Sequence, residues 1–377
     1  TRPSTKGRAS RRSPFAVYFY VMVSLRHLKK MHQGALPSVA ELASLLKAQG
    51  RVRERIYRAA DTLRRENMGD AVFLRGIIEF SNVCKNNCLY CGIRCGNPHV
   101  GRYRMSADEI VNTARQAKHW GCGTVVLQSG EDPFYTTEIL CGMIQRIKEE
   151  TGVAITLSIG VRPRAELARL RTAGCDRFLL RFETTSPALF AAIHPDESFE
   201  HRVQCLTDLR DLGYQVGSGF MIGLPGSTPE MIAQDILFAT QLKLDMIGCG
   251  PFLSHPGTPL AEKPLLEDRS VYYKTVALLR LLNPQAHIPA TTAFDALEPE
   301  GRNGVLMRGA NVFMPNATPD KYRRMYQLYP GKPYADEEGA TCAMYARERI
   351  AAIGREVDSG PGHARRLTVS ADRKECT

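Results

Sequence analysis

From residue 72 onward the chain repeats one rhythm: a short, nearly continuous apolar run, then a stretch in which apolar residues recur every three or four positions. The short runs at 72–80, 124–128, 154–158, 177–182, 215–220, 245–249, 287–291 and 311–314 suit strands of a parallel sheet, which are buried on both faces. The stretches at 107–120, 137–150, 200–212 and 228–242 have helical period, and Ser106 with Glu109 forms a capping box for the first of them. Eight strand and helix units over about 250 residues predict an α/β fold of the (β/α)8 TIM-type barrel rather than an open doubly wound sheet. The seventh run, His287 to Thr291, is the shortest and most polar of the set.

Upstream, Ser38 and Glu41 cap a short helix carrying Leu42, Leu45 and Leu46, and a second helix over 52–67 places Ile56, Ala60 and Leu63 on one face. This N-terminal helical extension is expected to pack on the barrel and cover one end of it. The chain thus divides into a basic leader (1–35), N-terminal helices (36–68), a barrel (69–330) and a short helical C-terminal segment with a disordered tail (331–377).

Charge changes the picture little. Of the net +11 carried by 377 residues, the leader supplies +8, because it holds eight Lys and Arg and the first acidic residue is Glu41. The remaining +3 argues against a dedicated nucleic-acid surface. The longest apolar run, Phe15 to Val23, is far short of the roughly 20 residues that span a bilayer, which argues against a membrane protein. Basic residues follow that run where a signal peptide would have its cleavage site, so the expected location is cytoplasmic, or organellar if the leader is a transit segment.

Eleven cysteines, an odd number without a convincing export signal, make a disulfide framework a poor explanation. Cys122, Cys141, Cys175, Cys205 and Cys249 read as packing thiols on apolar segments, and Cys95 as an exposed one. Cys84, Cys88 and Cys91 differ: they form C-x3-C-x2-C in the loop after the first strand, at the end of the barrel where chemistry belongs. Three thiolates can hold three corners of a cubane iron–sulfur cluster and leave one iron free. A zinc site, completed by Cys95 or His99, is the alternative that spacing leaves open. Polar groups crowd the same rim, with Gln128-Ser129-Gly130-Glu131 ending strand two, Arg181-Phe182-Glu183-Thr184 strand four and Thr291-Thr292 strand seven.

C-x3-C-x2-C with Tyr90 before the third cysteine resembles the radical S-adenosylmethionine (SAM) superfamily. Longer phrases between Arg75 and Lys332, among them IIEFSNVCKNNCLYCGIR, VVLQSGEDPFY, GYQVGSGFMIGLPGST and YQLYPGK, resemble the HydE-type maturases of FeFe-hydrogenase, relatives of biotin synthase and methylornithine synthase. The resemblance implies that Cys84, Cys88 and Cys91 ligate one 4Fe-4S cluster. Tyr90 would border the adenine of SAM, Ser129, Gly130 and Glu131 would face its amino group, and Glu183 and Arg202 its ribose and carboxylate. It also implies a cavity through the barrel lined by Thr156, Arg181, Thr291, Thr292, Tyr326 and Tyr329, with Met246 and Met314 on an apolar wall and Arg75 nearby. On charge grounds a buried-strand arginine without an anionic partner is costly, so Arg181 favours a carboxylate ligand.

By the same resemblance the substrate is a small organometallic molecule, a cysteine-bound iron carbonyl cyanide. The partners are a reduced electron donor and companion hydrogenase maturases, with no nucleic acid and no membrane. Two departures stand out. Where some members carry C-x7-C-x2-C for an auxiliary cluster, this chain has Tyr334, Cys342 and Tyr345, so no auxiliary cluster is expected. The family's Arg-His-Glu-Thr phrase appears as Arg181-Phe182-Glu183-Thr184, making the pocket wall less polar. A methylornithine-synthase-like enzyme acting on a small amino acid, and a non-enzymatic iron–sulfur or zinc protein, are the competing readings.

Overall fold

The computed structural model describes residues 36–332 and 337–365. The leader, the last twelve residues with Cys376, and Tyr334 lie outside the described residues. Eight parallel strands follow the predicted order: β1 (Val72–Ser81), β2 (Thr124–Ser129), β3 (Ala154–Ser158), β4 (Arg177–Leu179), β5 (Gln215–Ser218), β6 (Met246–Ile247), β7 (Pro289–Ala290) and β8 (Val312–Phe313). Each pairs with its neighbour in sequence, and β8 pairs back onto β1. Closure between β6 and β7 rests on one bridge, Met246 to His287, with Ile247 N donating to His287 O and His287 N to Asp245 O, each at 2.9 Å. The seam falls at the short polar run because Pro289 has no N–H to add to a ladder.

Inside and outside alternate along β1. Ile77 and Glu79 face the interior, and Leu74, Ile78 and Phe80 are fully buried in the surrounding core. Gly76 lies against the helix Ala107–His119, where an added Cβ would stand 3.1 Å from Ala117 Cβ. Ser106 caps that helix with a complete capping box, and Thr136, Ser186, Ser198 and Thr228 cap four later ones. Cys122, Cys175, Cys205 and Cys249 are buried, Cys141 is half-buried and Cys95 exposed.

Strands four and five end earlier than the apolar runs suggest, at Leu179 and Ser218 rather than 182 and 220. Beyond them the backbone flares: Glu183 adopts φ +64° and keeps only a bridge to Phe220. A small parallel pair, Met221–Ile222 with Gly250–Pro251, then extends the rim.

The N-terminal helices pack on outer helices of the barrel. Val39–Leu46 packs on the outer helix Pro229–Gln241, and Gly50–Met68 packs on Ser270–Leu282, which is buried from Val271 to Leu281 between the barrel and its neighbour. The charged residues of this buried helix are satisfied within the fold, Lys274 by Ala48 O at 3.0 Å and Asp268 at 3.1 Å, and Arg280 by Gly309 O at 2.7 Å. The end at which the strands begin is closed by the C-terminal segment. After the helix Gly339–Ala352, Val357–Asp358 pairs with the start of β1, and residues 361–364 cross the opening. Arg177 receives them: its guanidinium donates to Pro361 O (2.6 Å), Gly362 O (2.9 Å), Thr124 Oγ1 (2.9 Å) and Gln215 Oε1 (3.1 Å). Among the described residues no helix is long and apolar enough to cross a membrane.

Candidate active site

The cysteine loop leaves the carboxyl end of β1 and is folded into a fixed shape by its own polar side chains. Asn82 donates to Gly101 O and Met325 O and accepts from Tyr103 N, all at 2.8 Å. Arg102 donates to the carbonyls of Asn82, Ile93 and Arg94 at 2.6–2.7 Å. These bonds satisfy a backbone that has no ladder partner and bring all three cysteines to one cavity. Cys84 Sγ accepts from Glu131 N at 3.4 Å, and Cys91 takes a backbone donor from Ile93. Burial pushes the Cys91 thiol up to about 12 and the Cys88 thiol higher still, and repulsion from neighbouring acidic groups, Cys84 among them, adds to the rise. Three crowded thiols are thus poor anions on their own and need a cationic centre to become thiolates.

Strand ends two and three bring up the next groups. Gly130 must lack a side chain, since a Cβ there would sit 2.3 Å from Val83 O and 2.7 Å from Cys84 Cβ. Gly160, at φ +77°, makes room for the Glu131 side chain, which accepts from Val161 N at 3.3 Å and pairs with Lys85 at 3.5 Å. Burial, reinforced by Glu197, raises the Glu131 carboxyl.

Glu183 turns into the cavity on its left-handed backbone, with Oε1 accepting from Tyr90 OH at 3.3 Å. The following residues are anchored by Asp235 Oδ1, which accepts from Thr185 N (2.6 Å) and Oγ1 (2.7 Å). Burial raises Asp235 to about 7 against the pull of those bonds. Arg202 donates to Arg181 O at 2.9 Å and pairs with Glu197. Burial works to lower the Arg202 pKa, but Glu197 and Glu183 outweigh it and raise it. Its Nε is buried without a hydrogen-bond partner.

One cavity of about 330 Å³ collects Cys84, Cys88, Cys91, Tyr90, Ser129, Gly130, Glu131, Glu183 and Arg202 together with Arg181, Thr291, Thr292, Met314, Tyr326 and Tyr329. Arg75, Thr156 and Met246 are not among its lining residues. They sit lower in the barrel, where Arg75 donates to Met246 Sδ at 2.7 Å and to Gly362 O at 3.3 Å, and Thr156 Oγ1 is buried without a partner. Arg181 departs from its expected setting: it is about one-third exposed to the cavity and has an anionic neighbour, Glu183 Oε2, at 3.2 Å. Its Nε nonetheless has no hydrogen-bond partner.

The signature of the radical SAM superfamily matches residues 78–239 of this chain. The chain is 46% identical over 314 residues to the FeFe hydrogenase maturase subunit HydE of Thermotoga maritima, an alignment spanning 83% of this chain and 90% of that one. The chain belongs to the HydE family. Its likeness extends to 3-methylornithine synthase of Methanosarcina acetivorans, 32% identical over 75% of this chain and 81% of that one. A crystal structure of methylornithine synthase superposes with a TM-score of 0.75 at 28% identity, covering 88% of this chain and 97% of that one.

The donor set fits the cofactors this HydE-family membership implies, a 4Fe-4S cluster and SAM. Among the described residues no three His, Cys, Asp or Glu side chains converge as a single-ion site. Mononuclear zinc needs its donors about 2.0–2.3 Å from one centre, whereas a cubane takes thiolates at separate corners. The unpartnered Nε atoms of Arg202 and Arg181 fit carboxylates arriving from outside.

Several residues in or beside the cavity are not evident from the sequence. Glu79 and Lys332 form a buried ion pair, with Asn316 Nδ2 donating to Glu79 Oε2 at 3.2 Å and Lys332 Nζ to Tyr326 O at 3.2 Å. An acid inside the apolar run Ile77-Ile78-Glu79-Phe80 was the available signal. His194 and Glu197, in the loop Ile193-His194-Pro195-Asp196-Glu197, had no such signal. His194 Nδ1 lies 3.3 Å from Cys88 Sγ and Nε2 lies 3.2 Å from Tyr90 OH.

Proposed function

We propose that this radical SAM enzyme acts in assembly of the FeFe-hydrogenase diiron site, on a small anionic precursor carrying an amino-acid carboxylate. The observation that carries the reading is the cavity itself, which the three thiols and Arg181 line together. A 4Fe-4S cluster, with one iron left free of protein ligands, would supply the site for SAM and the electron for its reductive cleavage. Cys84, Cys88 and Cys91 would hold the other three irons. Arg202, through its free Nε, would pair with the carboxylate of SAM, Glu183 would accept from its ribose, and Tyr90 and the Ser129-Gly130-Glu131 turn would border the adenine and amino group. Arg181, Thr291 and Thr292 would hold the carboxylate of the substrate, with Met314, Tyr326 and Tyr329 excluding water around it.

The Glu79–Lys332 pair locks the start of the C-terminal segment over this cavity, since removing either partner would leave the other charge buried. A reduced electron donor and the companion maturases complete the proposed partners. We assign no auxiliary cluster: Cys342 is buried and accepts from Arg323 at 3.5 Å, and Tyr345 stands at a position where a thiolate would be required.

Anaerobic reconstitution with iron and sulfide, electron paramagnetic resonance with and without SAM, and chromatography for 5'-deoxyadenosine test the reading. A SAM-sensitive 4Fe-4S signal that disappears in Cys88→Ala is expected. One zinc per chain without any SAM-sensitive signal would overturn it. The likeness to methylornithine synthases supports a second substrate class, a small α-amino acid, which the same Arg181 and Thr291 clamp would serve.

A further inference from the structure

We propose that His194 is a positioning residue that donates an outer-sphere hydrogen bond to the thiolate of Cys88, and that Tyr90 couples this bond to Glu183 in the SAM pocket. The inference rests on the reading of Cys84, Cys88 and Cys91 as cluster ligands.

His194 ends the helix Pro187–Ile193, far from the cysteine loop in sequence, and the two are joined by Leu89 N donating to Ile193 O at 2.9 Å. Its ring is 3% exposed, stacks on Phe190 at 4.6 Å and 18°, and meets Tyr90 edge-on at 5.4 Å. Backbone and packing therefore set the ring before any hydrogen bond is counted. Both nitrogens are then used, Nδ1 at 3.3 Å from Cys88 Sγ and Nε2 at 3.2 Å from Tyr90 OH.

A metal-bound thiolate carries no proton and can only accept. For this bond to form the proton must sit on Nδ1, which leaves Nε2 as an acceptor open to the Tyr90 hydroxyl. Cys84 and Cys91 take backbone donors, so Cys88 is the ligand whose hydrogen bond depends on a side chain.

Tyr90 has one phenolic proton and two acceptors, His194 Nε2 at 3.2 Å and Glu183 Oε1 at 3.3 Å. A ligand hydroxyl donating to Glu183 satisfies that carboxylate and leaves the phenolic proton to His194. This selects the tautomer that donates to Cys88. Hydrogen bonds to cluster sulfur favour the more negative, reduced state, so His194 raises the cluster potential, and more so once the pocket is filled.

Redox titration of the reconstituted full-length protein, read by electron paramagnetic resonance with and without SAM, tests this. His194→Phe keeps the stack on Phe190 and removes both nitrogens. At a fixed solution potential its reduced-to-oxidised ratio should fall about tenfold, which is about 59 mV for a one-electron couple. His194→Asn, with an amide near the Nδ1 position, should restore most of the shift, and Tyr90→Phe should abolish the part that depends on SAM. An unchanged potential in an iron-replete His194→Phe protein overturns the proposal. If that variant holds no iron, His194→Asn and His194→Gln decide: equal potentials reject it, and a lower one in His194→Gln supports it. Failure of the cluster reading would show earlier, as a wild-type protein without a SAM-sensitive signal.

Discussion

Gly130→Ala is the smallest change that should disable the site without touching a polar group. The new Cβ would stand 2.3 Å from Val83 O, 2.9 Å from Val83 C and 2.7 Å from Cys84 Cβ. None of these atoms is the far end of a flexible side chain. To restore an ordinary carbon–oxygen contact the loop must retreat by about 1 Å. It cannot swing freely, because Asn82 and Arg102 tie its two ends to carbonyls on both sides of the cysteines. Overpacking of this kind costs about 1–3 kcal/mol, and misplacing a reacting group by about 1 Å costs on the order of 10²-fold in rate. The expected protein is folded, binds iron poorly after reconstitution and forms 5'-deoxyadenosine about two orders of magnitude more slowly. Gly142→Ala is the control: in the helix Thr137–Thr151 its Cβ would meet nothing within 4 Å, so it should stabilise the fold by about 0.5–1 kcal/mol and leave turnover alone. Full iron occupancy and an undiminished rate in Gly130→Ala would refute the argument that this contact positions Cys84.

Arg181→Ala should leave the cluster and uncoupled SAM cleavage in place while removing substrate-dependent turnover, read as the ratio of product to 5'-deoxyadenosine. Arg177→Met removes five hydrogen bonds from a fully buried guanidinium, but burial already pulls that group down to about 10, so the net loss should be about 3 kcal/mol. Urea denaturation measures that loss, and faster proteolysis near residues 357–365 would show that the strap over the barrel end has been released. Asp235, raised to about 7 in the fold, favours folding while protonated, so its contribution fades as pH rises from about 4 to 7. Asp235→Asn, which stays neutral, should therefore be the more stable protein above pH 7, by up to about 4 kcal/mol, with the difference vanishing near pH 4 in paired denaturation curves.

The barrel was legible because each parallel strand is buried on both faces, so a bare apolar run marks it. The flare after Leu179 was not. Leu180 and Phe182 continue the apolar run because they are buried in the core, although Glu183 has already turned out of the sheet with positive φ. The closure of the lower end was equally hidden. Val357-Asp358 and Pro361-Gly362 have no strand pattern, and what holds the latter pair is main-chain carbonyl oxygen facing Arg177, which any residue supplies. The N-terminal helices show the same limit: the apolar faces were evident, but the partner for those faces was not.

At the site, legibility follows whether a residue works by its identity or by its surroundings. Cys84, Cys88 and Cys91 are readable because a three-thiol chemistry needs those side chains at short spacing in one loop. Gly130 and Gly160 look like ordinary turn residues until the space around them is seen, when one proves to clear Cys84 and the other to seat Glu131. His194 and Lys332 lie 106 and 253 residues from their partners Cys88 and Glu79, so no spacing could have joined them. Each is fixed by elements that meet only when the barrel closes, and each sits between a charge-bearing group and an aromatic ring, His194 at Tyr90 and Lys332 at 5.1 Å over Tyr326. The strand ends thus supply groups that would touch cofactor and substrate, while later segments supply groups that set the charge and orientation of the first. That division explains why a family resemblance pointed to residues that line one cavity and left the residues behind them to be found in the structure.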